Sequence, residues 1–94
     1  MKIRKREILD NYVVEHADSR AAIQRWLDIV EEAEWKSHID LKNSFPSADY
    51  IGNERYVFNV KGNKYRIIVV VIFIAGLISI DFVGTHAEYD KLKF

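Results

Sequence analysis

The chain has no cysteine, and its 14 basic residues balance 14 acidic ones, so it carries no net charge of either sign. The absence of cysteine excludes disulfides and thiolate metal sites. It also fits a reducing cytosol, so we expect a cytoplasmic protein. The absence of net charge means that any site for nucleic acid must come from a local cluster of cations, not from bulk attraction.

The chain also lacks a hydrophobic run long enough to cross a bilayer. The most apolar run, residues 67–80, has 14 residues and is interrupted by Gly76, whereas a spanning helix needs about 20. The N-terminal segment carries Glu7, Asp10 and Glu15 where the apolar part of a signal peptide would lie. We therefore expect a pair of buried strands in residues 67–80 and no membrane association.

The composition favours one folded domain. Hydrophobic residues make up 49% of the 94 residues and aromatic residues 13%, whereas disordered chains combine low hydrophobicity with high net charge. A chain of this length builds a single core. We find no repeat, low-complexity segment or linker, and we predict a single domain over residues 1–94.

Apolar residues in the first half recur at helical spacing and predict two helices. The two apolar stripes consist of Ile8, Leu9, Tyr12 and Val13, and of Ile23, Trp26, Leu27 and Val30. Asp18 and Ser19 are the expected N-cap residues of the second helix. Residues 2–4 are a candidate edge strand, and residues 39–45 are a candidate helical turn. These patterns predict a helical hairpin laid on a sheet.

The second half predicts three antiparallel strands, with sequences RYVFNV, YRIIVVVIFI and LISIDFV. Gly62-Asn63 is a two-residue hairpin signal, because glycine supplies the unusual backbone angle. Ala75-Gly76 is the expected second turn. The fold class that follows is α+β, with an antiparallel sheet of three to four strands packed against the N-terminal helical hairpin and a short C-terminal helix.

These two turns fix an expected register. A loop at residues 62–63 places Asn59 opposite Arg66 and Lys61 opposite Lys64, with all four side chains on one face. A turn at residues 75–76 places Thr85 opposite Arg66. The same face then also carries Ser79, Asp81, Val83 and Thr85. The other face is apolar and is the expected core side, with Tyr56, Phe58, Val60, Tyr65, Ile67, Val69, Val71, Phe73, Ile78, Ile80 and Phe82.

The C-terminal segment predicts a capped helix. Thr85 and Glu88 have the spacing of a capping box, and a short helix from His86 to about Leu92 should follow. Residues three and four apart share a helix face. We therefore expect His86, Tyr89 and Asp90 to lie together.

The predicted register gathers Lys61, Lys64, Arg66, His86 and Tyr89 at one end of the sheet. This set suits RNA backbone cleavage, which needs a base for the 2′-hydroxyl, cations for the developing phosphorane charge and an acid for the leaving oxygen. Tyr89 could instead stack a base. The candidate substrate-binding residues are Asn59, Lys61 and Lys64.

Ordinary surface roles are the alternative for each of these residues. The lysines would be solvated, Arg66 would form an ion pair with Asp81, and His86 would be a surface histidine beside a cap. The three histidines are too scattered in the sequence for a metal motif, so we expect no metal or other cofactor.

Two stretches together resemble the HigB-type branch of the RelE-like toxins. They are FPSADYIGNERYVFNVKGNKYRIIVVVIF and FVGTHAEYDKL, about half of the chain. The resemblance rests on FPSAD, on the hairpin YVFNV-GN-YR, on the long apolar strand and on TH-EYD near the end. The combination is much more specific than any one of its parts.

The resemblance implies a toxin of a type II toxin–antitoxin module with a fold similar to that of small microbial ribonucleases. Such toxins cleave mRNA without a metal, usually in the ribosomal A site, and leave a 2′,3′-cyclic or 3′-phosphate and a 5′-hydroxyl. An antitoxin with a helix-turn-helix domain, of the HigA type, neutralises the toxin. Operator DNA is then bound only through the complex. The positions carried over as catalytic are Arg66, His86 and Tyr89.

A second hypothesis is a non-catalytic module, such as a degenerate toxin that only binds its antitoxin or the ribosome. The neutral charge favours it, as does the absence of an acid–base pair with diagnostic spacing. Ribosome co-sedimentation without RNA cleavage would support this second hypothesis, whereas a neighbouring gene for a small helix-turn-helix protein would favour a toxin module.

Overall fold

A computed structural model describes residues 1–92, in which helices and strands follow the order predicted from the sequence, with additions. The strands are β1 Lys2–Arg4, β2 Asp49–Gly52, β3 Arg55–Val60, β4 Tyr65–Ile72 and β5 Leu77–Thr85. The helices are α1 Glu7–Glu15, α2 Arg20–Glu32, α3 His38–Ser44 and α4 His86–Asp90. The predicted domain extends to residue 94, so its last two positions lie outside the described residues.

The described strands form one mixed sheet of five strands in the order β1-β5-β4-β3-β2. The predicted α+β class and the antiparallel pairing of β3, β4 and β5 are confirmed, but the sheet has five strands instead of three to four, and one of its pairings is parallel. The N-terminal edge strand exists, but it runs parallel to β5, with Ile3 opposite Ile78. Parallel neighbours need a long crossover, and here nearly the whole chain separates them. β2 has only four residues and no apolar alternation to reveal it.

The two N-terminal helices pack on the sheet separately, not as the predicted hairpin. α1 lies mainly on β5, whereas α2 packs on β1 and β3. Both apolar stripes are nonetheless directed into the core. Leu9, Ile23, Trp26, Leu27 and Val30 are buried, and the ring of Trp26 meets that of Phe58 edge-on with centroids 5.3 Å apart. No helix within residues 1–92 is long and apolar enough to cross a membrane.

The predicted register of the β3–β4 hairpin is confirmed. Asn59 pairs with Arg66 and Val57 with Ile68. The strands end at Val60 and Tyr65, and the turn between them is closed by the Lys64 N–H, which donates to the Lys61 carbonyl at 3.2 Å. Both lysines thus belong to the turn and not to the ladder.

The register of β5 differs from the prediction in two ways. The β4–β5 connection is a 3-10 turn over Phe73–Ala75 followed by Gly76, so that Ile72 pairs with Leu77. A bulge at Asp81 then shifts the pairing by one residue between Ile80 and Phe82. Because side chains alternate, a one-residue shift exchanges the two faces beyond the bulge.

The observed register of β5 shows that three predicted face or pairing assignments were wrong. Phe82, predicted on the core face, pairs with Ile68 on the other face, which we call the outer face. Val83, predicted on the mixed face, packs against the core instead. Gly84 and not Thr85 lies opposite Arg66. The rest of the predicted core face is confirmed for β3, β4 and the first part of β5.

Asp18 joins the α1–α2 junction to the hairpin turn and does not cap α2 as predicted. Its carboxylate accepts from the Tyr65 hydroxyl at 2.6 Å, from Lys61 Nζ at 3.2 Å and from Lys64 Nζ. Ser19 occupies the N-cap position, but its hydroxyl donates to the His16 carbonyl at 2.6 Å. The hydrogen bonds from Lys64 and then Tyr65 hold the pKa of the Asp18 carboxyl well below its usual range.

Gly84 leaves room for the ring of Phe82 on the outer face. A Cβ at Gly84 would lie 2.5 Å from Phe82 Cζ, which is closer than nonbonded carbons approach. We expect Gly84→Ala to lower the free energy of unfolding by about 1–3 kcal/mol through overpacking, measured by urea denaturation. Phe82→Leu added to Gly84→Ala removes the clashing ring atoms and should recover part of the loss. Wild-type stability of Gly84→Ala would contradict this packing.

Asp18→Asn should destabilise the protein in a pH-dependent way. The depressed pKa in the folded state contributes stability above the unfolded pKa of about 4, and this contribution is lost as the pH falls below that value. The difference in free energy of unfolding between wild type and Asp18→Asn should therefore be largest near neutrality and should shrink below about pH 4. Asp28→Asn removes an equal charge elsewhere and controls for net charge. A pH-independent difference would argue against the Asp18 contacts.

Candidate catalytic site at the end of the sheet

Arg66 on β4 is the only charged side chain among the buried residues of the described chain, with 9% of its surface exposed. Its Nη1 donates to the Asn63 carbonyl at 3.0 Å, and its Nη2 lies 2.7 Å from His86 Nδ1. The alternative of an ion pair with Asp81 is wrong, because Asp81 accepts from Arg55 Nε at 3.0 Å. Within residues 1–92 the Arg66 guanidinium thus forms no ion pair with a carboxylate.

The capping box predicted from the sequence fixes α4 at the end of the sheet. The Thr85 hydroxyl accepts from the Glu88 N–H at 3.1 Å, and the Glu88 carboxylate accepts from the Thr85 N–H at 2.9 Å. The His86 N–H donates to the Lys64 carbonyl at 3.1 Å, which ties the first residue of α4 to the hairpin turn. On the α1 side, the Tyr12 hydroxyl approaches Glu88 Oε1 at 3.5 Å.

These contacts shift the pKa values of Glu88 and Tyr12. The hydrogen bond from the Thr85 backbone holds the pKa of Glu88 below its usual value. Burial, followed by the charge of Glu88, raises the pKa of Tyr12 to about 12. Tyr12 therefore remains a hydrogen-bond donor at every physiological pH.

His86, Tyr89 and Asp90 lie on one face of α4. His86 and Tyr89 contact Arg66, and Asp90 contacts His86. The Arg66 guanidinium carbon lies 5.9 Å from the centre of the Tyr89 ring, within the range of a cation–π contact. The carboxylate of Asp90 lies 3.2 Å from His86 Nε2. The side chains of His86 and Asp90 are 56% and 58% exposed, so a ligand can reach the imidazole. Arg66, His86 and Tyr89 thus meet as the sequence predicts.

The predicted substrate-binding residues are distributed differently. Asn59 lies on β3 directly opposite Arg66, as expected. Lys61 and Lys64 do not join the Arg66 cluster, because both hold Asp18, and Asp18 also accepts from the core-side residue Tyr65. The lysines therefore lie on the helix side of the turn.

The structure adds groups that sequence reasoning missed. The carbonyl of Asn63 holds Arg66 from within the turn, and the ring of Phe82 covers Gly84 beside it. The Asn63 carbonyl had no sequence signal, because any residue type supplies a backbone acceptor. The position of the Phe82 ring had none, because the apolar pattern does not reveal the bulge at Asp81. Asp90 is not among the missed groups, since its position four residues after His86 already predicts that the two lie together.

The arrangement has the elements of phosphate chemistry. A buried guanidinium without a carboxylate partner is an anion site, since a guanidinium presents a planar fork of donors that matches phosphate oxygens. An accessible imidazole beside it can transfer protons. Within residues 1–92 we find no group of three His, Asp or Glu side chains placed to hold a metal ion.

A second concavity of about 590 Å³ lies near the other end of the sheet. Among its lining residues, His38 Nδ1 and the Tyr56 hydroxyl form a hydrogen bond of 2.7 Å, and Tyr50 and Phe73 add aromatic surface. Glu54 is the one charged group in this lining. The negative charge of Glu54 makes this groove less suited to phosphate than the Arg66 end of the sheet.

The model of the HigB toxin family, described as the RelE-like toxic component of a toxin–antitoxin system, matches residues 19–92. The "mRNA interferase HigB" of Escherichia coli O6:H1 is 30% identical over 66 residues, which cover 68% of this chain and 64% of that protein.

Two further relatives are more similar over a shorter stretch. The "mRNA interferase toxin HigB" of Escherichia coli K12 and the "mRNA interferase HigB" of Shigella flexneri are each 42% identical over 59 residues, which cover 60% of this chain and 56% of theirs. The chain thus spans less than two thirds of the length of these relatives. Because the family model matches most of the chain, including β2–β5 and α4, the chain belongs to the HigB family of RelE-like toxins.

Proposed function

We propose that this chain is the toxin of a type II toxin–antitoxin module and inhibits translation as a ribosome-associated, metal-independent endoribonuclease that cleaves mRNA. The observation that carries the proposal is the buried Arg66 guanidinium, which lacks a carboxylate partner among the described residues and contacts an exposed imidazole. Three relatives named mRNA interferase support the same reaction.

Each residue of the cluster has a role in this proposal. Arg66 binds the scissile phosphate and stabilises the charge that develops on it. His86 transfers a proton, and Tyr89 stacks a base or shares in proton transfer. The products would be a 2′,3′-cyclic or 3′-phosphate and a 5′-hydroxyl.

Asn59, Lys61 and Lys64 would bind the RNA backbone. Asn59 needs no rearrangement, since it lies beside Arg66 on the neighbouring strand. The lysines already converge on one carboxylate, and we infer that an RNA phosphate replaces Asp18 as their partner. Such a local cluster would supply the attraction that the neutral chain lacks as a whole.

The proposed partners follow from the family. A HigA-like antitoxin with a helix-turn-helix domain would neutralise the toxin, and operator DNA would be bound only through that complex. The ribosome and mRNA would be the target, with the toxin in the cytoplasm and without membrane, metal or other cofactor. A chain that bound ribosomes without cleaving RNA would instead be a degenerate toxin.

Arg66→Ala should remove toxicity and mRNA cleavage. Loss of one preorganised charge-stabilising donor costs about 10²- to 10³-fold in rate, and Arg66 would supply a full positive charge as well. We expect expression of the wild type to arrest growth, expression of Arg66→Ala to permit it, and cleavage of mRNA on purified ribosomes to follow the same order. Arg55→Ala, which removes a guanidinium from the same face of the sheet, is the matched control.

Circular dichroism and urea denaturation must accompany this test, because Arg66 is buried. Arg66→Lys keeps the charge without the planar fork and should retain only part of the activity. Full toxicity of both Arg66→Ala and His86→Ala would show that the site has been placed wrongly.

The two turn lysines should contribute to RNA binding through charge alone. For single-stranded RNA each phosphate contact adds about 0.7 to the slope of log affinity against log salt concentration. Lys61→Gln and Lys64→Gln should each reduce the slope by about this amount, measured with an RNA oligonucleotide blocked by 2′-deoxy substitution. Lys36→Gln, between α2 and α3, is the control. An unchanged slope would remove the lysines from the RNA site.

A further inference from the structure

The imidazole of His86 has a contact at each nitrogen, and together they determine which nitrogen carries the proton. Arg66 Nη2 lies 2.7 Å from Nδ1, and Asp90 Oδ2 lies 3.2 Å from Nε2. A guanidinium has only N–H donors and stays protonated in proteins. In the neutral imidazole Nδ1 therefore accepts with its lone pair, which leaves the proton on Nε2, 3.2 Å from the Asp90 carboxylate.

We propose that Asp90 is a positioning residue that holds His86 in the Nε2–H tautomer and so makes Nδ1 the general base of the proposed RNA cleavage. This inference rests on the proposed function of the Arg66 site. It assigns the base, which neither the sequence nor the relatives identify.

The fold supplies this pairing through the backbone of α4. Asp90 follows His86 by four residues, so it lies one helical turn further along the same face. The capping box and the bond from the His86 N–H to the Lys64 carbonyl fix the start of the helix. The charged groups in contact with the imidazole within residues 1–92 are Arg66 from β4 and Asp90 from α4.

In the reaction, the substrate 2′-hydroxyl replaces Arg66 as the hydrogen-bond partner of His86 Nδ1. When the guanidinium turns to the scissile phosphate, the Nδ1 lone pair is released to the neighbouring 2′-hydroxyl. The 2′-O–H proton passes to Nδ1, the 2′-oxygen bonds to phosphorus, and the bond from phosphorus to the 5′-oxygen breaks. The leaving 5′-oxygen takes a proton from water, and the imidazolium returns its proton to the hydroxide that remains.

Asp90 acts in this step without touching RNA. Its negative charge, 3.2 Å from Nε2, stabilises the imidazolium that forms when Nδ1 takes the proton and favours the ring orientation that presents Nδ1 to the substrate. The same division of roles between an orienting carboxylate and a reacting imidazole operates in hydrolytic triads. Loss of Asp90 should accordingly lower kcat more than it raises KM.

The tautomer can be measured on the free protein, independently of activity. Nitrogen-15 NMR at about pH 8, where an ordinary imidazole is neutral, distinguishes a protonated Nε2 from a protonated Nδ1. His86→Gln assigns the signal among the three histidines of the chain. We expect the Nε2–H form in the wild type and a smaller share of it in Asp90→Ala, where the contact with Arg66 alone favours that tautomer. A protonated Nδ1 in the wild type would overturn the inference.

The kinetic test compares three variants on the same RNA. Asp90→Ala should lower kcat by about 10- to 100-fold, part of the 10²- to 10⁴-fold that a general base contributes, and the acid limb of its pH–rate profile should shift. Asp90→Asn keeps an acceptor for Nε2–H and should recover part of that loss. Asp10→Asn removes a carboxylate from another i,i+4 pair, with Arg6, and is the matched control.

The possible outcomes distinguish failure of the role of Asp90 from failure of the proposed ribonuclease function. Wild-type kcat in Asp90→Ala, in a chain that cleaves RNA, would overturn the role of Asp90 and leave the ribonuclease proposal standing. Absence of cleavage by the wild type would overturn the proposed function and the general-base role with it. The tautomer would still decide whether Asp90 orients the ring.

Discussion

A buried guanidinium without a carboxylate partner among the described residues is the feature on which this site depends. Removing a charge from water costs several kcal/mol unless hydrogen bonds or another charge compensate. Arg66 is compensated only in part, by the Asn63 carbonyl, the His86 imidazole and the face of the Tyr89 ring. None of these is an anion. The site therefore has a remaining affinity for one, which an RNA phosphate would meet.

The bulge at Asp81 and the carboxylate of Asp18 determine which groups surround Arg66. The bulge at Asp81 sets Gly84 opposite Arg66, where the small residue leaves room for Phe82. Asp81 itself pairs with Arg55, so it does not neutralise Arg66. On the other side of the turn, Asp18 gathers the two lysines and keeps them away from the guanidinium. Separate carboxylates thus pair with the surrounding cations, and within residues 1–92 none of them pairs with Arg66.

Parts of this arrangement could be read from the sequence because their signals are local. The Gly62-Asn63 turn fixes the register that sets Asn59 opposite Arg66, and the Thr85–Glu88 spacing predicts the cap that places His86 at the end of the sheet. These are short-range rules in which a few residues determine the backbone. The apolar alternation of β3 and β4 likewise identifies the core face.

The rest depends on contacts between residues distant in sequence. β1 pairs with β5 across more than seventy residues, and no local pattern encodes that partner. Asp18 looks like a cap because its neighbours are typical of one, yet the lysines across the fold, about 45 residues on, decide its role. The bulge at Asp81 exchanges the two faces only for the last residues of β5. A prediction that continues the alternation past Asp81 therefore assigns Phe82 and Val83 to the wrong faces.

In the proposed reaction, the Arg66 end of the sheet breaks RNA by attack of a 2′-oxygen on phosphorus. The most direct measurement is the chemistry of the RNA ends after purified wild-type protein is incubated with translating ribosomes in the presence of a chelator. We expect cleavage within the mRNA that leaves 5′-hydroxyl ends and 2′,3′-cyclic phosphates, and no such ends with Arg66→Ala. Cleavage that leaves 5′-phosphates, or intact mRNA with the wild type, would contradict it.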